Sequence, residues 1–328
     1  MEIGVFALSA IVSLSASIIL VSRLERVGER FGASEAMLGL AAALAADGPE
    51  ITSSITAISG GHGTIGIGVT LGSNVFNLAA LLGLSAVVAG RVGLHRRSII
   101  LEGALAIVLA LIAVAVVAAA IGPVVGLVLG LLAFLPYVAY SALAPGRRPT
   151  VGLPPGLSAW LTRALAEEEQ ELEVAIHPQR GTRQDGVLVV VALAVVIGAS
   201  VVMEQTGTDL GAAAGWTPIL IGGLILAAVT SLPNAVAAIY LASKGRGAAM
   251  LSTAFNSNAI NMIVGLTLPA AILGLGAPSQ DAGFVALFYL GLTAFAVALA
   301  LQAKGLNRRS GSAIIAAYVV FAAVLVLA

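Results

Sequence analysis

Two carboxylates, Asp47 and Glu50, stand three residues apart in the run Ala46-Asp47-Gly48-Pro49-Glu50, inside a stretch that is otherwise apolar. On a continuous helix that spacing puts both on one face, and no Lys or Arg lies within the apolar stretch to neutralise them. A pair of anions in hydrocarbon must be protonated, hydrated or compensated by bound cations. A cation site is the economical answer, with a proton-carrying site next. Pro49 withdraws a backbone donor and frees a preceding carbonyl, which needs a partner in hydrocarbon and can find one in a cation. Taken alone, a Gly-Pro step reads as a packing kink; two acids in the same turn shift the reading to a binding site.

The same segment occurs twice. Residues 49–77, PEITSSITAISGGHGTIGIGVTLGSNVFN, and residues 233–261, PNAVAAIYLASKGRGAAMLSTAFNSNAIN, align without a gap at an offset of 184. The identical pairs are Pro49/Pro233, Ile55/Ile239, Ser59/Ser243, Gly61/Gly245, Gly63/Gly247, Ser73/Ser257, Asn74/Asn258 and Asn77/Asn261. Apart from one Ile, what is kept is helix breakers, small residues and oxygen-bearing side chains. In the second copy, Thr230-Ser231-Leu232-Pro233-Asn234 stands where the first has Ala46 to Glu50. Ser73 and Asn77, and in the second copy Ser257 and Asn261, fall at i and i+4 on one helical face. Their oxygens are hard ligands of the kind Ca²⁺ gathers in groups of about six to eight. The competing reading is that Ser and Asn hydrogen-bond between helices while Gly66, Gly68 and Gly72 permit close packing. For Asn74 and Asn258 the two readings stand level; for Asn77 and Asn261 liganding is preferred.

These residues must be carried by membrane helices. Of 328 residues, 59% are hydrophobic and only 10% charged, with a mean hydropathy of +1.05, which places the chain in the polytopic membrane class. Ten apolar stretches long enough to cross a bilayer run at 4–22, 35–59, 64–90, 99–121, 123–143, 185–203, 217–242, 247–273, 283–303 and 311–328. The fold class expected is an all-α polytopic membrane protein of ten transmembrane helices, arranged as two inverted five-helix repeats. A first half, 1–143 (repeat at 34–88), and a second, 185–328 (repeat at 217–273), flank a polar linker, 144–184. All sixteen Lys and Arg follow odd-numbered spans, so the linker should be cytoplasmic and both termini outside. Residues 4–22 lack a basic leader and a small-residue cleavage pattern and read as a retained span. An odd number of spans separates Pro49 from Pro233, so equivalent points face opposite sides, the plan of alternating-access transporters.

Other polar features carry less. The acidic cluster at Glu167, Glu168, Glu169, Glu171 and Glu173 reads as a solvated helix face. Glu102 is expected to open the fourth span, and Glu204 and Asp209 to lie outside the membrane. A net charge of zero gives no reason to expect a nucleic-acid partner, and the absence of Cys excludes disulfides and thiolate chemistry. Abundant Arg, Ala and Gly hint at a prokaryotic source, and the location expected is the cell membrane.

The two segments resemble the alpha repeats of the sodium/calcium exchanger family, within the cation/calcium antiporter superfamily. Family repeats look like GTSxPE followed by GNxxGSNxxN or GSNxxD. Here Pro49-Glu50 matches PE, Thr230-Ser231-Leu232-Pro233 matches TSxP, and Gly72-Ser73-Asn74-Val75-Phe76-Asn77 matches GSNxxN. The resemblance implies exchange of Ca²⁺ against Na⁺ or H⁺ at a midplane site between the second, third, seventh and eighth spans. By position it makes ligands of Glu50, Asn77, Thr230, Ser231, Ser73 and Ser257. The chain departs from the pattern at Asn234 and Asn261, where the family's second repeat has Glu and Asp, and at Ala46-Asp47, where its first has Thr-Ser. Two carboxylates are lost and one is gained.

The candidate ion-binding set is therefore Asp47, Glu50, Ser73, Asn77, Thr230, Ser231, Asn234, Ser257 and Asn261, with Asp47, Glu50, Asn77 and Asn261 as principal metal ligands. The partners expected are inorganic cations and membrane lipid, with no cofactor. The leading function is a Ca²⁺/cation antiporter; the alternatives are a cation channel using the same acids and an antiporter of Mg²⁺, Mn²⁺ or K⁺. An intramembrane enzyme is disfavoured, because no His lies in a span and both acids come from one turn.

Overall fold

A computed structural model describes residues 2–30, 43–142, 156, 159–164, 181–277 and 279–327. The helices are α1 (Glu2–Arg30), α2 (Gly48–Ser59), α3 (Gly63–Ala89), α4 (Arg96–Val117), α5 (Pro123–Ala142), α6 (Arg183–Ala213), α7 (Pro218–Thr230), α8 (Leu232–Ser243), α9 (Gly247–Leu273), α10 (Gln280–Ala303) and α11 (Arg308–Leu327). Among the described residues, eight helices are long and apolar enough to cross a membrane, and α7 with α8, bent by 48° at Ser231, makes a ninth. The helix α2 is continued upstream by a helical turn at 43–46. The rest of the second expected span, 35–42, lies outside the described residues, as do most of the linker, the acidic cluster at 167–173 and His177.

Periodicity does not anticipate two three-residue strands, β1 (Arg91–Gly93) and β2 (Gly305–Asn307), which pair antiparallel with Arg91 opposite Asn307 and Val92 opposite Leu306. They tie the loop after α3 to the loop after α10. Gly305 permits this pairing: its φ is +133°, and a Cβ there would fall 2.1 Å from the Val92 carbonyl oxygen.

One acid sits elsewhere than expected, and two others lie in a helix that runs past its apolar stretch. The helix α4 begins at Arg96, so Glu102 is not its opening residue but lies in its second turn, buried. The helix α6 continues to Ala213, ten residues beyond the apolar stretch, which carries Glu204 and Asp209 into the helix and buries Glu204. An apolar stretch marks only what hydrocarbon tolerates; a helix continues past it wherever its backbone bonds remain satisfied.

Packing places α3 and α9 at the centre. Four-fifths of the apolar window of α3 and two-thirds of that of α9 are buried, against a third or less in α1, α5, α6 and α11. The outer helices turn valines and leucines outward, as Val187, Val190 and Val191 do on α6. α1 lies along α6, joined by Arg23 Nη1 to Asp185 Oδ1 at 2.9 Å and by the hydroxyls of Ser13 and Ser200 at 2.7 Å. The backbone of α3 meets that of α7 directly: a Cβ on Gly72 would stand 2.3 Å from the Gly223 carbonyl oxygen. Small residues thus bring the two backbones into contact.

Gly72→Ala should therefore cost about 1–3 kcal/mol by overpacking. Gly283→Ala, where nothing stands within 4 Å, is the control. Thermal unfolding in detergent should show a lower midpoint for the first variant and an unchanged or higher one for the second.

Candidate functional site

The site is made by two helix breaks with the same backbone geometry. Asp47 precedes α2 with φ −77° and ψ −2°, and Ser231 precedes α8 with φ −82° and ψ −2°. In each, proline occupies the first turn of the following helix, where its missing donor costs least. The remaining bonds cross the breaks intact: Asp47 N to Ala43 O and Ile51 N to Asp47 O, both 2.9 Å, and Ser231 N to Ala227 O at 3.2 Å and Ala235 N to Ser231 O at 3.1 Å. Pro49 leaves the Ala45 carbonyl without its helical donor, and the hydroxyl of Ser17, on α1, donates to that oxygen at 3.2 Å. A side chain thus meets the need that the sequence reading assigned to a cation.

The two acids of the first break are buried, at 0% and 1% exposure, and among the described residues the side chains of other helices that donate to them are neutral. Asp47 Oδ1 accepts from Asn234 Nδ2 at 2.6 Å and from the Ser257 hydroxyl at 2.7 Å. Glu50 Oε1 accepts from the Ser231 hydroxyl, and Oε2 stands 3.5 Å from Asn261 Nδ2. Residues of α8 and α9 thus close over carboxylates of the α2 break. The Ser73 hydroxyl is 3.5 Å from that of Thr230, whose own hydrogen points back to Leu226 O at 2.9 Å. This pair lies beside the network without a hydrogen bond to either carboxylate.

Four asparagines fix the direction of the amides. Asn74 Nδ2 donates to the Asn258 carbonyl at 3.1 Å, and Asn258 Nδ2 returns the bond to the Asn74 carbonyl at 3.2 Å. Main-chain carbonyls only accept, so the side-chain oxygens of both residues must point the other way. Each then accepts from the later asparagine of the other segment: Asn258 Oδ1 from Asn77 Nδ2 at 3.1 Å, and Asn74 Oδ1 from Asn261 Nδ2 at 3.3 Å. With their nitrogens engaged, Asn77 and Asn261 are left with free oxygens. Among the described residues, Asn77 Oδ1, Asn261 Oδ1 and Asp47 Oδ2 are buried atoms that find no hydrogen-bond partner. Buried acceptors are normally satisfied, and three hard oxygens left open beside two carboxylates suit a small hard cation.

Of the nine residues singled out from sequence, seven share this network and Ser73 and Thr230 adjoin it. Ser17 was missed, since nothing local ties it to Ala45. Asn74 and Asn258 were left level between two readings; their identity in both copies was the signal, and their contacts give them the role of aligning others.

The sodium/calcium exchanger protein family model matches residues 1–144 and 186–327. The chain belongs to that family. It is a family of transporters rather than of enzymes, and this member is an integral membrane protein. Among curated proteins, none matches it. Of solved structures, the exchanger resembles the H⁺/Ca²⁺ exchanger CAX (TM-score 0.70, 18% identity, covering 99% of this chain and 86% of that one). It also resembles YfkE (0.67, 18%, 98% and 92%) and the sodium-calcium exchanger NCX_Mj (0.61, 20%, 97% and 97%). At these identities the likeness is one of fold.

Asn258→Ala should cost this exchanger about 1–3 kcal/mol, because it leaves one hydrogen of the buried Asn77 Nδ2 without its acceptor, the other remaining on Ser257, and removes one of two donors to the Asn74 carbonyl. Asn256→Ala, on the same helix but bonded to Ser252 and Tyr137, is the comparison. Millimolar Ca²⁺ should raise the unfolding midpoint of the wild type and the Asn256 variant and raise that of the Asn258 variant far less.

Proposed function

We propose that this exchanger moves Ca²⁺ against two monovalent cations, Na⁺ or H⁺, by alternating access at the site between α2, α3, α8 and α9. The observation that carries the reading is the charge inventory. Asp47 and Glu50 bring two negative charges, and among the described residues the groups of other helices that donate to them are amides and hydroxyls. One Ca²⁺ balances that pair, as do two Na⁺ or two H⁺. Excess charge of either sign at the midplane costs several kcal/mol. The principal ligands in this reading are Asp47, Glu50, Asn77 and Asn261, with Ser231, Asn234 and Ser257 completing the shell and Ser73 and Thr230 at its edge.

The ten-span plan with two inverted halves, basic loops in the cytoplasm and both termini outside a cell membrane belongs to the same reading. It is supported by the matched breaks at Asp47 and Ser231 and by asparagine contacts that recur under exchange of the two segments. The names of the similar structures, an H⁺/Ca²⁺ exchanger and a sodium-calcium exchanger, point to the same chemistry with either counter-ion. The reading departs from a three-carboxylate site in one respect: exchange of one divalent for two monovalent cations moves no net charge.

The test is ⁴⁵Ca²⁺ uptake into proteoliposomes under separately imposed Na⁺ and H⁺ gradients. One gradient should drive uptake, and Glu50→Gln should abolish it with expression unchanged; near-normal uptake in that variant would remove Glu50 from the site. Asp47→Asn should lower Ca²⁺ affinity. Uptake should not respond to a valinomycin-imposed potential, and a reversal potential fitting three monovalents per Ca²⁺ would overturn the electroneutral scheme.

A further inference from the structure

The seam between α1 and α6 carries polar groups that the site does not use. On α6, Ser200, Glu204 and Thr208 recur every four residues, and on α1, Ser13 and Ser17 do the same, so each set shares a helix face. Glu204 is 2% exposed and its Oε1 accepts from the Thr208 hydroxyl at 3.1 Å. One turn further in, the Ser200 and Ser13 hydroxyls meet at 2.7 Å; one turn beyond, Ser17 reaches the Ala45 carbonyl, two residues from Asp47. Ser53 on α2 is fully buried with an unpartnered hydroxyl. It lies one turn before Ala57, which belongs to the same apolar cluster as Ala10 of α1 and Met203 of α6. The inner end of the series is thus the Ala45 carbonyl, half a turn before Asp47, whose Oδ2 is without a partner among the described residues. The outer end lies where His62 and Asp209 act on Glu204, far from the basic ends of α1 and α6 at Arg23 and Arg183.

Apolar residues would pack α1 against α6 more cheaply, and a carboxylate buried in a membrane helix marks an ion or proton pathway more often than a packing contact. One carboxylate with hydroxyls spaced a turn apart falls well short of the roughly six to eight oxygens that Ca²⁺ collects. The same groups suffice for a partly hydrated monovalent cation or a proton.

We propose that Glu204 is a second cation site, which admits the monovalent counter-ion from the membrane face bearing His62 and passes it along the Ser200, Ser13, Ser17 seam to Asp47. This rests on the antiport reading above. It gives the monovalent ion its own approach to the site on that face, with Glu204 as the entry group.

The test is Ca²⁺ exchange in proteoliposomes with the monovalent ion presented at either face, in separate Na⁺ and H⁺ arms. Glu204→Gln keeps the acceptor for Thr208 and removes the charge. In the arm that drives exchange, it should raise the half-saturating monovalent concentration about fivefold or more at the His62 face. Half-saturating Ca²⁺, maximal flux and the opposite face should stay unchanged. The double variant Ser13→Ala, Ser200→Ala should move the same parameter, and Asp209→Asn should not. An unshifted monovalent dependence in the driving arm, an equal shift at both faces, or a fall in maximal flux together with Ca²⁺ affinity would overturn the proposal. Wild-type protein that exchanges Ca²⁺ under neither gradient would instead sink the antiport reading; a wild type that exchanges beside a silent Glu204 variant sinks the seam alone.

Discussion

Two buried carboxylates that, among the described residues, neutral amides and hydroxyls of other helices answer are the constraint from which the rest of this structure follows. Hydrocarbon offers no water to solvate them, so every polar group within reach is recruited. That accounts for a site assembled from four helices rather than one: Asp47 and Glu50 from the α2 break, Ser231 and Asn234 from the α8 break, and asparagines and Ser257 from α3 and α9. It also accounts for the backbone contact of α3 with α7 at Gly72 and Gly223, which holds Ser73 within reach of Thr230. A bulkier contact would open a gap between the halves that no side chain in the site is long enough to span.

The asparagine lattice solves a second problem, that of direction. An amide can present its nitrogen or its oxygen with little steric difference, and a site for a cation needs the oxygen. The reciprocal bonds of Asn74 and Asn258 to each other's main-chain carbonyls settle their orientation, and through it the orientation of Asn77 and Asn261. The energy of these bonds is modest one by one. Their closure into one lattice across both segments means that no amide can turn without stranding another.

Much of this was legible in the sequence, because the duplication keeps polar residues at the one place where hydrocarbon penalises them. Asp47, Glu50, Asn77, Asn234 and Asn261 could be picked out by burial cost alone, before any contact was known. What escaped has physical reasons. The strands at Arg91–Gly93 and Gly305–Asn307 are too short to carry a period, and their pairing joins loops more than two hundred residues apart. The extension of α6 to Ala213 was hidden because Glu204 and Asp209 look like the end of a span, whereas the helix needs only intact backbone bonds to continue. The direction of each asparagine depends on main-chain carbonyls of the other segment, which no local pattern encodes.

The two breaks share their backbone angles and differ in charge, and the difference bears on how such a site can work. Both carboxylates stand on the α2 break; the equivalent positions, Ser231 and Asn234, are neutral donors that now bond those same carboxylates. A cation placed between the acids reverses what it asks of them: Asn234 must turn its oxygen inward and Ser231 must offer a lone pair rather than a proton. Hydroxyls and amides can do both, where a lysine or arginine in their place could only donate and would compete with the cation for the same charge. The neutral half of the site is therefore what lets the charged half be either self-satisfied or ion-filled. Between the two halves of the site, the described residues make hydrogen bonds to neutral groups and no ion pair.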